Sequence, residues 1–159
     1  MNEPLLLTDG SVNTQSRIGY GAYLVVPERG LSLDSLETRV KIRRFENTSS
    51  TKLELQTLLW ALSDIQPSGS KVIVYTDSQN IVGLLGRRAR FEQNDYRSKK
   101  NQRLNNFELY QEFFRITDQL ECEFVKVRGH RVSNQKDDID RLFTLVDRAS
   151  RNALRRDNE

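Results

Sequence analysis

Residues 5–9 form a short apolar run that ends at Asp9-Gly10, and residues 20–26 form a second, bounded by Gly19 and by Pro27 with Gly30. Both patterns predict buried strands. From 36 to 45 the chain alternates, with Thr38, Val40 and Ile42 on one face and Arg39, Lys41 and Arg43 on the other. That is the period of an antiparallel strand with one wet side. Over 50–65 the period changes: at about 100° per residue, Leu58, Ala61, Leu62 and Ile65 fall within about 100° of one another, which predicts a helix. A continuous β-branched and aromatic run at 71–76 has the character of a buried parallel strand. Residues 78–85 read as a short helix, 105–120 as an amphipathic helix, 121–127 as a strand and 138–154 as the last helix. The order βββαβααβα contains no repeat or linker. A hairpin-rich start followed by βαβ units predicts an α/β fold, a mixed sheet with helices against its faces.

The 159 residues fit one domain, 1–159, around one core. No apolar run approaches the roughly 20 residues of a membrane span, and no secretory signal pattern opens the chain, so the expectation is a cytoplasmic protein without membrane contact. One Cys (Cys122) and one His (His130) exclude a disulfide framework and a Cys/His zinc site. Any metal would therefore rest on carboxylates. The net charge of +3 says little by itself, but its distribution says more. Between 87 and 103 stand seven cations (Arg87, Arg88, Arg90, Arg97, Lys99, Lys100, Arg103) against Glu92 and Asp95, a local net of +5 (7 − 2), with Phe91 and Tyr96 interleaved. That composition suits phosphate contacts. A second cluster, Arg148, Arg151, Arg155 and Arg156, reads as a solvated last helical turn favoured by the helix dipole.

Three carboxylates stand out. Asp9 ends the first run and Asp77 ends the 71–76 strand; each has an ordinary structural reading, as an Asp-Gly turn and as the approach to a helix N-cap. Glu54 is harder to dismiss. On its helix it falls within about 40° of Leu58 and about 20° of Ala61 and Ile65, on the core-facing stripe. A buried carboxylate is costly unless it is neutralised, paired or metal-bound. If that helix packs its stripe across the two strand ends, Asp9, Glu54 and Asp77 converge, and an all-oxygen set suits Mg²⁺ or Mn²⁺.

The series Thr8-Asp9-Gly10-Ser11, Gly19-Tyr20-Gly21-Ala22, Lys52-Leu53-Glu54-Leu55, Thr76-Asp77-Ser78-Gln79, Arg128-Gly129-His130 and Val146-Asp147-Arg148 resembles the type 1 ribonuclease H family over nearly the whole chain. The resemblance implies a ribonuclease H-like fold with a five-stranded mixed sheet flanked by helices. It also implies an Asp-Glu-Asp-Asp metal site with a mobile histidine, cutting the RNA strand of RNA–DNA hybrids. By position Asp9, Glu54 and Asp77 take the first three carboxylate places and His130 the histidine. For the fourth there are two candidates. Asp140 lies ten residues after His130, a common family spacing, whereas Asp147 has a small residue, Ser150, three positions on and Arg151 four on, which fits the family's local pattern better. The two stand about 10.5 Å apart along a helix, so one site cannot use both. The reading favours Asp147, with Asp137, Asp138 and Asp140 serving the helix N-terminus.

The expected activity is a Mg²⁺-dependent endonuclease, with Mn²⁺ as the alternative ion, acting on RNA–DNA hybrids through two cations and leaving 5′-phosphate and 3′-hydroxyl ends. In that scheme Asp9 bridges both ions, Glu54 and Asp77 hold the ion on the leaving-group side, and Asp147 holds the one that activates water. His130, in the polar segment 128–136, suits proton transfer or product release. Ser49, Ser50 and Thr51 replace the amide-bearing residues that usually meet the 2′-hydroxyls in such proteins. Arg87, Arg88, Arg90, Lys99 and Lys100 are the expected phosphate contacts. The chain reads as a monomer. A DNA nuclease of resolvase or exonuclease type on the same fold is one rival. A non-catalytic nucleic-acid binding module is another, disfavoured because binding a polyanion gains nothing from clustered carboxylates.

Overall fold

A computed structural model describes residues 3–27, 30–65, 71–127 and 137–158. Its strands are β1 (Leu5–Asn13), β2 (Ile18–Val26), β3 (Lys41–Phe45), β4 (Val72–Thr76) and β5 (Cys122–Lys126). Its helices are α1 (Leu33–Glu37), α2 (Ser50–Ile65), α3 (Gln79–Val82), α4 (Arg88–Gln93), α5 (Phe107–Gln119) and α6 (Asp138–Asp157), with a 3₁₀ turn at Leu85–Arg87. The five strands form one mixed sheet in the order β3-β2-β1-β4-β5. The β1–β2 and β2–β3 pairs are antiparallel and the β1–β4 and β4–β5 pairs parallel.

Strand alternation divides the apolar side chains between two faces. Leu6 joins Leu58, Leu62, Phe113 and Phe114 in a cluster under α2 and α5. Leu5 and Leu7 join Leu24, Leu36, Leu142 and Val146 under α1 and α6. Among the described residues no helix is long and apolar enough to cross a membrane.

Two expectations fail in instructive ways. Asp9-Gly10 is not a turn: β1 runs on to Asn13, with Asp9 opposite Ala22 and Gly10 opposite Gly21. The glycines serve α2 instead. A Cβ on Gly10 or Gly19 would meet Leu53 Cδ2 at 2.8 Å, and one on Gly21 would meet Thr57 Oγ1 at 2.1 Å, so bare backbone is what lets α2 lie so close to the hairpin. The predicted strand over 36–45 forms only in its second half, its first two residues closing α1. Ser32 caps α1 by accepting from the Ser35 N–H, and Leu36, 2% exposed, is drawn into the α6-side core. Only Lys41–Phe45 pairs, as an edge strand with Ile42 exposed. Over 41–45 charged side chains are interspersed with apolar ones on an edge strand, where exposed charges discourage further pairing.

Candidate active site

Asp9 sits where β1 and its parallel neighbour part. The β1–β4 pairing runs from Leu5 opposite Ile73 to Leu7 opposite Tyr75, and β4 stops at Thr76. Two positions on, Asp9 and Asp77 stand level beyond the carboxyl end of β4, at the point where the sheet changes from parallel to antiparallel pairing. Open α/β sheets characteristically form their ligand crevices outside strand carboxyl ends. Ser78 caps α3 through its hydroxyl, which accepts from the Ile81 N–H, so the chain turns sharply and leaves Asp77 exposed beside the crevice.

α2 contributes Glu54. With Thr8, Asp9, Thr57, Thr76, Asp77 and Ile81 it lines a small pocket of about 10 Å³, just enough for one water. Ser50 hydroxyl donates to Glu54 Oε1 at 3.4 Å. Burial raises the Glu54 carboxyl above its ordinary range and Asp77 adds to this, while hydrogen bonds from Ser78 and Ser50 work against it.

The fourth group comes from α6. Ser11 and Ser150 share a hydroxyl–hydroxyl hydrogen bond of 3.1 Å that seats this helix along β1. One turn earlier, Asp147 stands near enough to Asp9 to act on its carboxyl. Burial, the Asp77 charge and the contact with Asp147 push the Asp9 carboxyl up to about 8, against a weaker opposing hydrogen bond from the Gly10 backbone. On its outer side Asp147 accepts from Arg151 Nε at 2.9 Å. Asp140 is used elsewhere. Its N–H donates to Asp137 Oδ1 at 2.8 Å and its own carboxylate accepts from the Asp137 N–H, a capping box that starts α6.

The structure thus brings Asp9, Glu54, Asp77 and Asp147 to one crevice and keeps Asp140 at the helix end; His130 lies outside the described residues. The donor chemistry fits a hard divalent cation: all four groups are carboxylates, and the charges that act on half-buried Asp9, those of Asp77 and Asp147, are of its own sign. Among the described residues no three His, Cys, Asp or Glu side chains stand close enough together to hold a metal ion as they are.

Beside the crevice runs a groove of about 1220 Å³ between α2 and the segment leading into α5. Of the expected contacts, Ser49, Thr51 and Arg87 line it, whereas Ser50 turns to Glu54. Arg87 is fixed by donating from Nη2 to the Asn80 backbone carbonyl at 2.8 Å and to Asn80 Oδ1. Arg88 is committed to structure: it pairs with Asp118 on α5 and with Glu92, both at 2.6 Å. Arg90, Lys99 and Lys100 are exposed, and among the described residues they form no ion pair. The interleaved aromatics are not free to stack on bases: Tyr96 is 7% exposed, and Phe91 packs on Tyr110 with ring centroids 5.1 Å apart.

Arg17, Lys52, Arg103, Asn105 and Asn106 also line the groove. Arg17 and the two asparagines escaped sequence reasoning. The Asn105-Asn106 pair before an amphipathic helix looks like an ordinary capping signal, yet the Asn106 side chain makes no cap bond.

A mixed five-stranded sheet in this order, with helices on both faces and acidic side chains at the strand ends, is a ribonuclease H-like fold. The chain matches the RNase H family over residues 1–147 and belongs to it. It is 27% identical over 159 residues to a ribonuclease H of Moorella thermoacetica, an alignment covering 98% of this chain and 96% of that protein. It is 24% identical over 158 residues to a ribonuclease H of Syntrophomonas wolfei subsp. wolfei, covering 98% of each. Among solved structures, the PFV RNase H domain superposes with a TM-score of 0.75 at 15% identity, over 94% of this chain and 93% of that one. The foamy viral protease-reverse transcriptase in complex with RNA/DNA hybrid does so with a TM-score of 0.69 at 11% identity, over 92% of this chain and 20% of that one.

Proposed function

We propose that this protein is a divalent-metal-dependent endonuclease that hydrolyses the RNA strand of RNA–DNA hybrids, leaving 5′-phosphate and 3′-hydroxyl ends. The observation that carries this reading is the convergence of Asp9, Glu54 and Asp77 on one small pocket at the strand ends, with Asp147 beside Asp9; burial first, and then the Asp77 and Asp147 carboxylates, push the Asp9 carboxyl up to about 8. Such crowding is unfavourable in an apo protein and useful once cations share the charge.

Asp9, Glu54, Asp77 and Asp147 would hold two divalent cations. Bound there, they would supply Lewis-acid stabilisation of the phosphate and acidify an attacking water. The chain's own residues do the positioning. Ser50 and Ser78 orient Glu54, Arg151 orients Asp147, and the glycine-lined seat of α2 sets the distance between Glu54 and Asp9. The groove's Arg17, Lys52, Arg87 and Arg103 would hold phosphates, and the Ser49 and Thr51 hydroxyls with the Asn105 and Asn106 amides would hydrogen-bond the sugar edges of a duplex. A related fold has been seen with such a duplex, in the foamy viral enzyme. His130 would assist proton transfer or product release, as its family position suggests.

The test is cleavage of labelled RNA–DNA hybrid, duplex RNA, duplex DNA and single strands by purified protein with and without Mg²⁺. Hybrid alone should be cut, and Asp77→Asn should abolish turnover without loss of fold, since ligand charge is removed and shape retained. Unchanged Mg²⁺-dependent cleavage by Asp77→Asn would sink the metal assignment, and preferential cutting of duplex DNA would favour a DNA nuclease instead.

A further inference from the structure

α6 is longer than its sequence pattern suggests, ending at Asp157, and this changes the meaning of its arginines. A helix dipole favours cations within about the last turn. Arg155 and Arg156 qualify, but Arg148 and Arg151 lie nine and six residues before the end (157 − 148, 157 − 151), too far for the dipole to explain them. At about 100° per residue from Asp147, Arg151 stands at about 40°, Arg155 at about 80° and Arg148 at about 100°. The buried residues Leu142, Val146, Ser150 and Ala153 occupy the other flank. Arg148, Arg151 and Arg155 are all exposed and form one stripe within about 60° of arc, beginning beside the crevice at Asp147. No acidic residue interrupts it between 148 and 156. Only Arg151, of these three, makes an ion pair among the described residues, and its partner is Asp147 itself.

We infer that this stripe is a second phosphate-binding track for the nucleic-acid duplex, on the α6 side of the crevice and opposite the groove beside α2. The inference rests on the hybrid-cleaving function proposed above. α6 runs along β1 from the crevice towards the hairpin end: Ser150 bonds Ser11, and Asn158 Oδ1 accepts from Asn13 Nδ2 at 3.5 Å. Just past that strand end, Arg17 lines the groove on the opposite face of the sheet. The two cationic surfaces therefore flank the carboxylates, and a duplex laid across the crevice meets both. The rise from Arg148 to Arg155 is about 10.5 Å (7 × 1.5 Å), and at roughly 3.4 Å of axis per phosphate along one strand this spans about three phosphates.

The experiment measures binding of a labelled RNA–DNA hybrid by fluorescence anisotropy across a salt series, in an Asp77→Asn background so that the duplex survives. Arg148→Gln with Arg155→Gln should weaken binding and shrink the slope of log K against log salt by roughly 0.7–0.9 for each phosphate left without its cation, about 1.4–1.8 in all. Arg156→Gln, about 180° from Asp147 and off the stripe, is the control for net charge and should leave the slope unchanged. The single Arg155→Gln, with half the effect, carries the test should the double variant fail to fold. An unchanged slope in the stripe variants, or an equal decrease in Arg156→Gln, overturns the track. A protein that binds hybrid through the stripe but never cuts it overturns the proposed function alone, and one that does not bind hybrid overturns both.

Discussion

At the scale of single residues, two aspartates seven positions apart on one helix have unlike fates because Asp147 stands beside Asp9 whereas Asp140 closes the capping box at the helix start. Asp147→Asn should reduce Mg²⁺-dependent hybrid cleavage at least a hundredfold, whereas Asp140→Asn, which keeps an acceptor for the Asp137 N–H, should cost little activity. Steady-state kinetics of the two variants decide the matter, and the reverse ranking would move the proposed metal site two turns towards the helix start. Gly21 is the other position where one residue controls the site. Its Cβ would lie 2.1 Å from Thr57 Oγ1, a clash that must push α2 off the hairpin. Gly21→Ala should therefore destabilise the fold by about 1–3 kcal/mol, the usual cost of overpacking. Adding Thr57→Ala should recover much of it, because the Thr57 hydroxyl is buried and makes no hydrogen bond whose removal would offset the gain. Denaturant melts of the single and double variants would measure both effects, and equal melts for Gly21→Ala with and without Thr57→Ala would refute the steric account.

Among elements, the basic stretch after β4 is where composition misled most about individual roles. Its seven cations are not equivalent. Arg88 braces α4 against α5 through Asp118, and Arg97 and Arg103 share Asp95, at 3.6 and 3.1 Å. An isolated β-bridge joins Arg97 to Arg103, so residues 97–103 form a small hairpin that carries Lys99 and Lys100 at its tip. These two should act as phosphate contacts without base preference. Replacing both by Ala should weaken hybrid binding alike across sequences and shrink the salt slope by roughly 0.7–0.9 for each phosphate no longer neutralised. A salt titration that shows no change of slope would mean that the tip is merely solvated.

For the molecule as a whole, the crowded carboxylates make stability depend on pH. The Asp9 carboxyl rises from an ordinary value of 3.8 to about 8, first by burial, then by Asp77 and Asp147. Between those values the folded protein holds a proton that the unfolded chain releases, so this group's stabilisation is fullest below the unfolded value and is lost as pH climbs towards 8. Glu54 is raised in the same direction. The metal-free melting temperature should thus fall from pH 5 to pH 8. Asp9→Asn should flatten the decline, and excess Mg²⁺ at pH 8 should restore stability by binding the folded state alone. An Asp9→Asn protein with an undiminished pH slope would show that the decline arises elsewhere.

Much of this was legible in the chain. α2 begins and ends where the 3.6-residue period predicts, and β4 follows from its unbroken β-branched and aromatic run, because periodicity records which side of an element is buried. Glu54 on an apolar stripe announced an acidic site, since a carboxylate there needs a partner. What one sequence does not encode locally is who that partner is. Asp9 looked like part of a turn because Asp-Gly is turn chemistry in isolation; only the approach of α2 reveals that Gly10 is there for lack of a Cβ. Resemblance favoured Asp147 over Asp140, but their separation became physical only once Ser11 met Ser150 across 139 residues of chain and set the register of α6 on β1. The division of the basic residues into braces and free cations likewise depends on where α5 places Asp118. Short-range pattern determined the elements, and packing between distant segments decided which charges face one another.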